Sequence, residues 1–299
     1  MRRLASLAIF TAGMGAAYAY AQQDFADVEI RAVEIKPGIA VLFGQGGNIG
    51  VSYGIDGTMI VDDQFAPLTP KIQAAIADLG ATPVKFLVNT HWHFDHAGGN
   101  ENFGKAGATI VAHENVRERL AAGGTVAGNT TPPAPHEALP LVTYDDSLSF
   151  HVNGDEIEVI HTGGGHTDGD SVILWRRANV LHTGDLMMNG LGFPFIDISS
   201  GGNVEHLLRS LDQMVAMTDG ETVIIPGHGE LADRLDLIAW RRMIASAVDR
   251  VERLKDAGRT LEEAKAAKPL AGLSNAEGGF VAEDQFVEAI WASLDAHDY

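Results

Sequence analysis

Residues 89–99, NTHWHFDHAGG, place three histidines and an aspartate within six positions. Imidazole nitrogen and carboxylate oxygen are both common zinc ligands. His91 and His93 are two residues apart, so their side chains point the same way if the segment is extended. Asp95 and His96 follow at once and can reach a second position nearby. The spacing predicts that all four side chains hold metal.

Three further positions have the same character. His166 lies in TGGGHTDGD, Asp185 in LHTGDLM and His228 in IPGHGE. Each comes directly after a predicted strand, in a glycine-containing loop whose backbone can bend to aim a side chain. Together with residues 91–96 they make seven candidate ligands, which can be divided into two sites that share a carboxylate.

The remaining histidines have less pattern. His113, His161 and His182 lie at or near predicted strand ends, where we expect core or supporting roles rather than metal ligation. Four others have no pattern and are expected in solvent: His136, His151, His206 and His297.

Several stretches near the candidate ligands suggest packing. The glycines of FGQGGNIG are not a dinucleotide-binding fingerprint, because no helix follows them, and a hairpin flap is the better interpretation. Trp92 and Phe94 are expected to pack the ligand loop. Phe193 and Phe195 either wall an apolar pocket or belong to the core.

The order of elements predicts an α/β fold. Short runs such as VEIRAVEI, IAVLF, NIGVSYGI and TMIVDD read as antiparallel hairpins, and PKIQAAIADLG reads as an amphipathic helix. The second half repeats strands and helices loosely, with a helix at about 204–217. Two similar halves predict two sheets face to face with helices outside, a four-layer αββα sandwich.

The chain is expected to divide into three parts. Residues 1–21 read as a signal peptide, with Arg2 and Arg3 before a short apolar run and Ala19-Tyr20-Ala21 as the cleavage site. Residues 22–230 form the sandwich domain. Residues 231–299 form a helical extension packed on the same domain, which could also support a dimer. The protein is therefore expected in the periplasm or outside the cell.

Composition narrows the partners. The formal net charge is −19, and loss of two arginines with the signal makes it about −21. Such a surface repels phosphate backbones and anionic membranes, so we expect a small-molecule substrate and neither nucleic acid nor membrane. The oligomeric state is left open. There is no cysteine, so zinc has to be held by histidine and carboxylate alone.

THWHFDHAGG, followed in order by GGGHT, HTGD and PGHG, resembles the metallo-β-lactamase superfamily over roughly residues 30–230. The resemblance implies the αββα fold and two zinc ions per chain. It implies one zinc on His91, His93 and His166, and another on Asp95, His96 and His228. Asp185 would bridge them, Asp62 would support the ligand loop, and Asp95 would also position the nucleophile.

The bridging aspartate is similar to the glyoxalase II-like thioesterase, lactonase and general hydrolase branches of that superfamily. Antibiotic-hydrolysing members often carry cysteine or serine at the position of Asp185, and no lysine soon follows it here. The expected activity is cleavage of an ester, thioester, lactone or amide by a metal-bound hydroxide. The alternatives are a metallo-β-lactamase, a di-iron redox protein and a metal-binding protein without catalysis.

Overall fold

The computed structural model describes residues 25–274 and 279–295. The signal peptide predicted for residues 1–21 lies outside the described residues, as does His297. The strands, in chain order, are β1 (Arg31–Lys36), β2 (Ile39–Phe43), β3 (Ile49–Gly54), β4 (Gly57–Val61), β5 (Val84–Val88), β6 (Thr109–His113), β7 (Gly124–Val126), β8 (Asn129–Thr131), β9 (Val142–Tyr144), β10 (Ser147–Val152), β11 (Asp155–His161), β12 (Ser171–Trp175), β13 (Val180–His182), β14 (Met188–Asn189), β15 (Val223–Ile225) and β16 (His228–Gly229).

The described part of the chain contains eight α-helices. They are α1 (Thr69–Asp78), α2 (Phe94–Ala97), α3 (Asn100–Lys105), α4 (Glu114–Ala122), α5 (Val204–Met217), α6 (Arg234–Asp256), α7 (Leu261–Ala266) and α8 (Glu283–Asp295). No helix in the described part of the chain is long and apolar enough to cross a bilayer.

Two sheets form the centre of the molecule. The first has the order β1-β2-β3-β4-β5-β6-β9 and the second the order β10-β11-β12-β13-β15. The predicted N-terminal hairpins are present, because β1 to β4 pair antiparallel. From β4 to β9 the first sheet is parallel, and β15 is parallel to β13. Parallel pairs bring successive strand ends to the same edge of a sheet.

The alternation of apolar side chains explains why both faces of the first sheet are covered. In β2, Ile39 and Val41 point into the layer between the sheets, whereas Ala40 and Leu42 point outward. The second sheet contributes Trp175, which is fully buried, to the same inner layer. The period of two along the strand therefore buries apolar side chains on two separate sides.

Helices cover both outer faces. Residues of α1 and α3 pack on the outside of the first sheet. On the second sheet, Leu174 of β12 belongs to one buried apolar cluster with residues of three helices, Leu207 of α5, Trp240 of α6 and Phe286 of α8. Helix α5 begins where the sequence predicts, with the Asn203 side chain accepting hydrogen bonds from two backbone N–H groups of its first turn. The predicted four-layer αββα sandwich is confirmed.

The segment 123–140, GGTVAGNTTPPAPHEALP, has the composition of turns and loops but is not wholly irregular. It contains the short hairpin of β7 and β8, whose two turn residues Ala127 and Gly128 both have positive φ. Positive φ at both central positions is the geometry of a type I′ turn, which matches the twist of two paired strands. Because Thr125 and Thr130 are β-branched, the strands on either side of the turn favour extended backbone.

Candidate metal centre

The seven predicted ligands come together at one edge of the sandwich. They follow β5, β11, β13 and β15, and their ligand atoms lie within 4.8 Å of one another in three overlapping groups. The first group is His91, His93 and His166, the second is Asp95, His96 and His228, and a third, His91, His96 and Asp185, overlaps both.

The first group consists of three histidines in edge-to-face contact. His93 Nδ1 lies 2.9 Å from His166 Nε2. The His91 ring stands 4.7 Å from each of the other two rings, nearly perpendicular to both. All three side chains are buried, and they converge on one point.

The second group adds a carboxylate. His96 Nε2 lies 3.1 Å from His228 Nε2, and Asp95 Oδ2 lies 3.2 Å from the same His228 nitrogen. His96 is fully buried, whereas the side chains of Asp95 and His228 are about one-fifth exposed. A molecule entering from solvent therefore meets this group first.

Asp185 reaches both groups. Its Oδ2 atom is 3.6 Å from His166 Nε2 and 3.4 Å from His228 Nε2, while its Oδ1 atom is 3.0 Å from His96 Nε2. The Oδ1 atom is buried without a hydrogen bond of good geometry. The side chain thus stands where a carboxylate shared by two cations would stand.

In three of these histidines, the ring nitrogen that faces away from the site contacts an oxygen atom. His166 Nδ1 donates to the carbonyl of Phe195 at 2.6 Å. His93 Nε2 faces Asp197 Oδ2 at 3.0 Å, and His96 Nδ1 faces Asp62 Oδ2 at 2.8 Å. Because neutral imidazole carries one proton, these contacts assign lone pairs to the three nitrogens that face the site.

Thr90 orients His91 in the same way. The Thr90 hydroxyl donates to Asp62 Oδ2 at 2.8 Å and so accepts from His91 Nδ1 at 3.0 Å. The remaining nitrogen, His91 Nε2, is buried with no hydrogen-bond partner among the described residues. Without a cation, the lone pairs of His93 Nδ1 and His166 Nε2 face each other at 2.9 Å and His91 Nε2 is a buried acceptor without a donor, which is unfavourable. A cation bound among the three nitrogens would interact favourably with all of them. The donor set therefore fits zinc.

Asp62 organises this arrangement, as the family resemblance implied. In addition to the bonds above, its Oδ1 atom accepts from the Thr90 backbone N–H at 2.8 Å. Asp62 has φ of +65°, a left-handed backbone conformation that is uncommon outside glycine. Such strain persists only where the surrounding structure holds it, which is typical of functional sites.

Burial and nearby charges lower the pKa of some histidines of the candidate centre and raise the pKa of others. Burial, with the neighbouring His96, lowers the pKa of His91 well below its ordinary value. Burial and the adjacent His93 lower the pKa of His166 to about 4. These two side chains are neutral at neutral pH, which is the form that binds metal.

Around the second group, carboxylates favour positive charge. Burial alone would lower the pKa of His96, but Asp185, Asp95 and Asp62 outweigh it and raise that pKa well above its ordinary value. In the same way Asp185 and Asp95 overcome burial and raise the pKa of His228 to about 10. The same field attracts a dication.

Two glycines allow the ligands to approach the backbone closely. A Cβ atom at Gly47 would lie 2.2 Å from the His96 ring, and one at Gly227 would lie 2.1 Å from Asp185 Oδ1. Gly47 belongs to the FGQGGNIG segment between β2 and β3, so the predicted flap lies directly on a candidate ligand.

Three groups that support the site were not predicted from the sequence. They are the carboxylate of Asp197, the hydroxyl of Thr90 and the carbonyl of Phe195. Asp197 lies in PFID, a stretch whose sequence is consistent with either an apolar pocket wall or the core. Phe193 and Phe195 have different surroundings, because Phe193 stacks on Phe286 in the core, whereas Phe195 lines the site cavity.

The histidines predicted to be supporting residues are not among the metal-binding groups of the described chain. His182 donates to the Asn48 carbonyl at 3.0 Å. His113 and His161 stack with ring centroids 3.9 Å apart and bond to backbone carbonyls. All three have a lowered pKa, caused chiefly by burial.

The candidate ligands open into a cavity of about 730 Å³. Asp95, Asp185, His93 and His228 form part of its wall. A volume in this range holds a small organic molecule.

Comparison with known proteins decides the family. A family model described as the metallo-beta-lactamase superfamily matches residues 55–228, more than half of the chain. The chain belongs to the metallo-beta-lactamase superfamily. It is 31% identical over 193 residues to a protein named "Probable metallo-hydrolase YqgX" of Bacillus subtilis (strain 168), which covers 59% of this chain and 85% of that relative.

Other members of the metallo-beta-lactamase superfamily have more specific names. The metallo-beta-lactamase IND-1 of Chryseobacterium indologenes is 28% identical over 149 residues, covering 50% of this chain and 56% of that protein. Among solved structures, the DIM-1 metallo-beta-lactamase superposes with a TM-score of 0.60 at 21% identity, over 74% of this chain and 100% of that one.

A second solved structure extends the likeness beyond the sandwich. The sec-alkylsulfatase Pisa1 from Pseudomonas sp. superposes with a TM-score of 0.65 at 20% identity, over 88% of this chain and 50% of that one. At this identity the likeness is one of fold. The comparisons together show a metallo-hydrolase family with histidine and aspartate groups able to hold metal.

Proposed function

We propose that the protein is an exported binuclear zinc hydrolase that cleaves an ester, thioester, lactone or amide bond of a small molecule. One observation carries the proposal: the Asp185 carboxylate lies within 3.6 Å of histidine nitrogens from both groups. Two cations held this closely need a shared anion between them. When bound, zinc supplies Lewis acidity and lowers the pKa of water close to it.

The residues of this chain then have distinct tasks. His91, His93 and His166 hold one ion, and Asp95, His96 and His228 hold the other. Burial raises the pKa of Asp95, but His96 and His228 outweigh it and lower that pKa to about 2. Asp95 is thus an acceptor at neutral pH. Because its side chain is partly exposed to the cavity, it would orient the attacking water by accepting a hydrogen bond from it.

A metallo-β-lactamase is the second candidate, and the likeness to IND-1 favours it. The side chains that line the cavity instead favour hydrolysis of an ester, thioester, lactone or amide. Among the described residues that line it, none is a lysine or arginine that could receive the carboxylate of a β-lactam. The stretch after Asp185, LMMNGLGFPFID, also lacks a basic residue.

Metal content and a substrate panel test the proposal together. Purified protein from zinc-supplemented medium should hold about two zinc ions per chain and should hydrolyse at least one of a lactone, thioester, aryl ester or amide. Chelation should remove both metal and activity. Trace metal only would refute the binuclear site, iron as the main metal would favour the redox alternative, and selective β-lactam hydrolysis would favour the second candidate.

A further inference from the structure

The cavity beside the candidate ligands is lined mainly by apolar side chains. Four of them are phenylalanines that come from four separate places in the chain, Phe65, Phe94, Phe195 and Phe280. The polar residues that line it without belonging to the predicted ligands are uncharged, and they are Gln45, Asn129 and Gln285. The only charged side chains in the described lining are therefore those of the candidate centre itself.

Phe280 comes from the C-terminal extension and is unusual in its exposure. Its side chain is 68% exposed, whereas the next residue, Val281, is buried in the core. A β-bridge between Gly192 and Val281 fixes the backbone here, and Gly279 packs against the Leu191 carbonyl. The fold thus holds a large apolar ring at the cavity and leaves most of its surface uncovered.

Phe195 connects this ring to the candidate ligands. The two phenylalanine rings meet edge to face, with centroids 6.2 Å apart and an interplanar angle of 89°. The Phe195 ring also lies 6.0 Å from the His93 ring and 5.7 Å from the His166 ring. A continuous apolar surface therefore runs from Phe280 to the first histidine group.

The cavity offers no partner to an anion that lies away from the candidate centre. Asp95 and Asp185 belong to that centre, where bound metal would offset their charge, but no lysine or arginine lines the described part of the cavity, and the whole chain has a formal net charge of −19. A substrate with a carboxylate or phosphate remote from the scissile bond would find no side-chain cation to pair with.

We propose that the site selects uncharged acyl compounds whose alkyl or aryl chain packs on Phe195 and Phe280, so that the C-terminal extension determines substrate preference. This inference rests on the proposed hydrolase function for its kinetic consequences only. The packing of an apolar chain in the cavity is a binding property, and it can be measured without turnover.

Hydrolysis of 4-nitrophenyl acetate, butanoate, hexanoate and octanoate by the zinc-loaded protein provides the kinetic test. Each added methylene should raise kcat/KM by about threefold to fourfold while it still meets apolar surface. Phe280→Ala should flatten this series, with a loss of about tenfold on the octanoate and less than twofold on the acetate. Leu235→Ala removes a similarly exposed apolar side chain from α6, outside the cavity lining, and should leave the series unchanged.

Binding of amides to the wild-type protein provides the second test, with isothermal titration calorimetry as the readout. Octanamide should bind at least tenfold more tightly than butanamide, and succinamate, which is butanamide with a carboxylate in place of its methyl group, should bind more weakly than either. Phe280→Ala should remove most of the preference for octanamide.

The two tests fail in different ways. If no lactone, thioester, aryl ester or amide of the panel is hydrolysed but octanamide binding depends on Phe280, the hydrolase function is wrong and the apolar subsite stands. If esters are hydrolysed without a chain-length preference, or if succinamate binds more tightly than butanamide, the inference about uncharged acyl substrates is overturned. If kcat/KM depends on chain length equally in Phe280→Ala and Leu235→Ala, Phe280 does not contribute to the chain-length preference.

Discussion

Asp197 Oδ2 lies 3.0 Å from His93 Nε2, although 104 residues separate the two. Asp197 is itself held by the backbone N–H and the hydroxyl of Ser200. Hydrogen bonds from Ser199, Ser200 and His93 overcome burial and lower the pKa of this carboxyl. The outer nitrogen of His93 is thereby occupied, and Nδ1 is the atom that faces the site.

Asp197→Asn should therefore weaken the first metal group without unfolding the protein. Changes to a residue that orients a ligand typically cost about 10–100-fold in metal affinity or activity. Competition with a chromophoric chelator measures the zinc affinity. Asp212→Asn, at an exposed ion pair with Arg241, is the matched control and should bind zinc as the wild type does. Equal affinities in the two variants would show that Asp197 does not orient His93.

Asp185→Asn tests the bridge. The substitution keeps the shape but removes a charge from between two dications, so one zinc should be lost first, from the group with fewer imidazoles. The expected cost is at least about 10–100-fold in affinity or turnover, because the change is in a ligand itself. His91→Ala or His166→Ala should instead weaken the first group. If Asp185→Asn holds two zinc ions tightly and keeps the turnover of the wild type, Asp185 does not bridge the two ions.

Gly47→Ala should disturb His96 by contact alone. The added methyl would lie 2.2 Å from the imidazole, and the ring cannot move away freely because Asp62 holds its Nδ1 atom. We expect zinc stoichiometry to fall toward one per chain. Gly220→Ala is the control, since a Cβ there meets nothing within 4 Å. Full stoichiometry in Gly47→Ala would mean that the segment between β2 and β3 moves aside at little cost.

The stacked pair His113 and His161 should make stability depend on pH. Both have a pKa lowered below 6.5, chiefly by burial. As the pH falls, the unfolded chain takes up these protons first, so the stabilisation is complete above about pH 6.5 and is lost as the pH falls below it.

The double variant His113→Asn, His161→Asn should accordingly lose less thermal stability between about pH 7.5 and about pH 5.5 than the wild type does. Each kcal/mol corresponds to about 2–4 °C in Tm for a chain of this size. His151→Asn, at an exposed position on β10, serves as the control and should follow the wild type. Identical pH slopes in all three proteins would exclude the pair as the cause.

Export is tested by the N-terminus of the mature protein. The arginine start, short apolar run and Ala19-Tyr20-Ala21 predict cleavage before Gln22. Mass spectrometry should find Gln22, or its cyclised form, as the first residue. A chain begun at Met followed by Gln22 should stay in the cytosol. Recovery of the full-length chain from the cytosol would contradict the prediction.

The candidate ligands could be predicted because their signal is local. His91 to His96 form one motif, and the other three each stand in a short glycine-containing loop after a strand. The layers were predictable for a similar reason, since the alternation in VEIRAVEI and apolar runs such as IAVLF are visible within five to eight residues. Metal binding by these residues remains a prediction, which the gathering of their side chains supports.

The supporting groups could not be predicted because their partners are remote in sequence. His93 and Asp197 meet only after both sheets have formed, and nothing near either residue indicates the other. Phe280 is the extreme case. From the sequence the C-terminal extension was expected to be a covering layer, and its contribution to the cavity depends on the bridge between Val281 and Gly192.

The bridge between Gly192 and Val281 joins two parts of the chain that are encoded far apart in the gene. Codons 91–228 encode every candidate ligand, whereas the Phe280 side of the cavity is encoded more than fifty codons later. Under the two proposals made above, mutations in the last part of the gene change which molecules are admitted and leave every candidate ligand in place. New specificities would then evolve through intermediates that keep the complete candidate ligand set. A laboratory library confined to the neighbourhood of Phe280 would explore the same route.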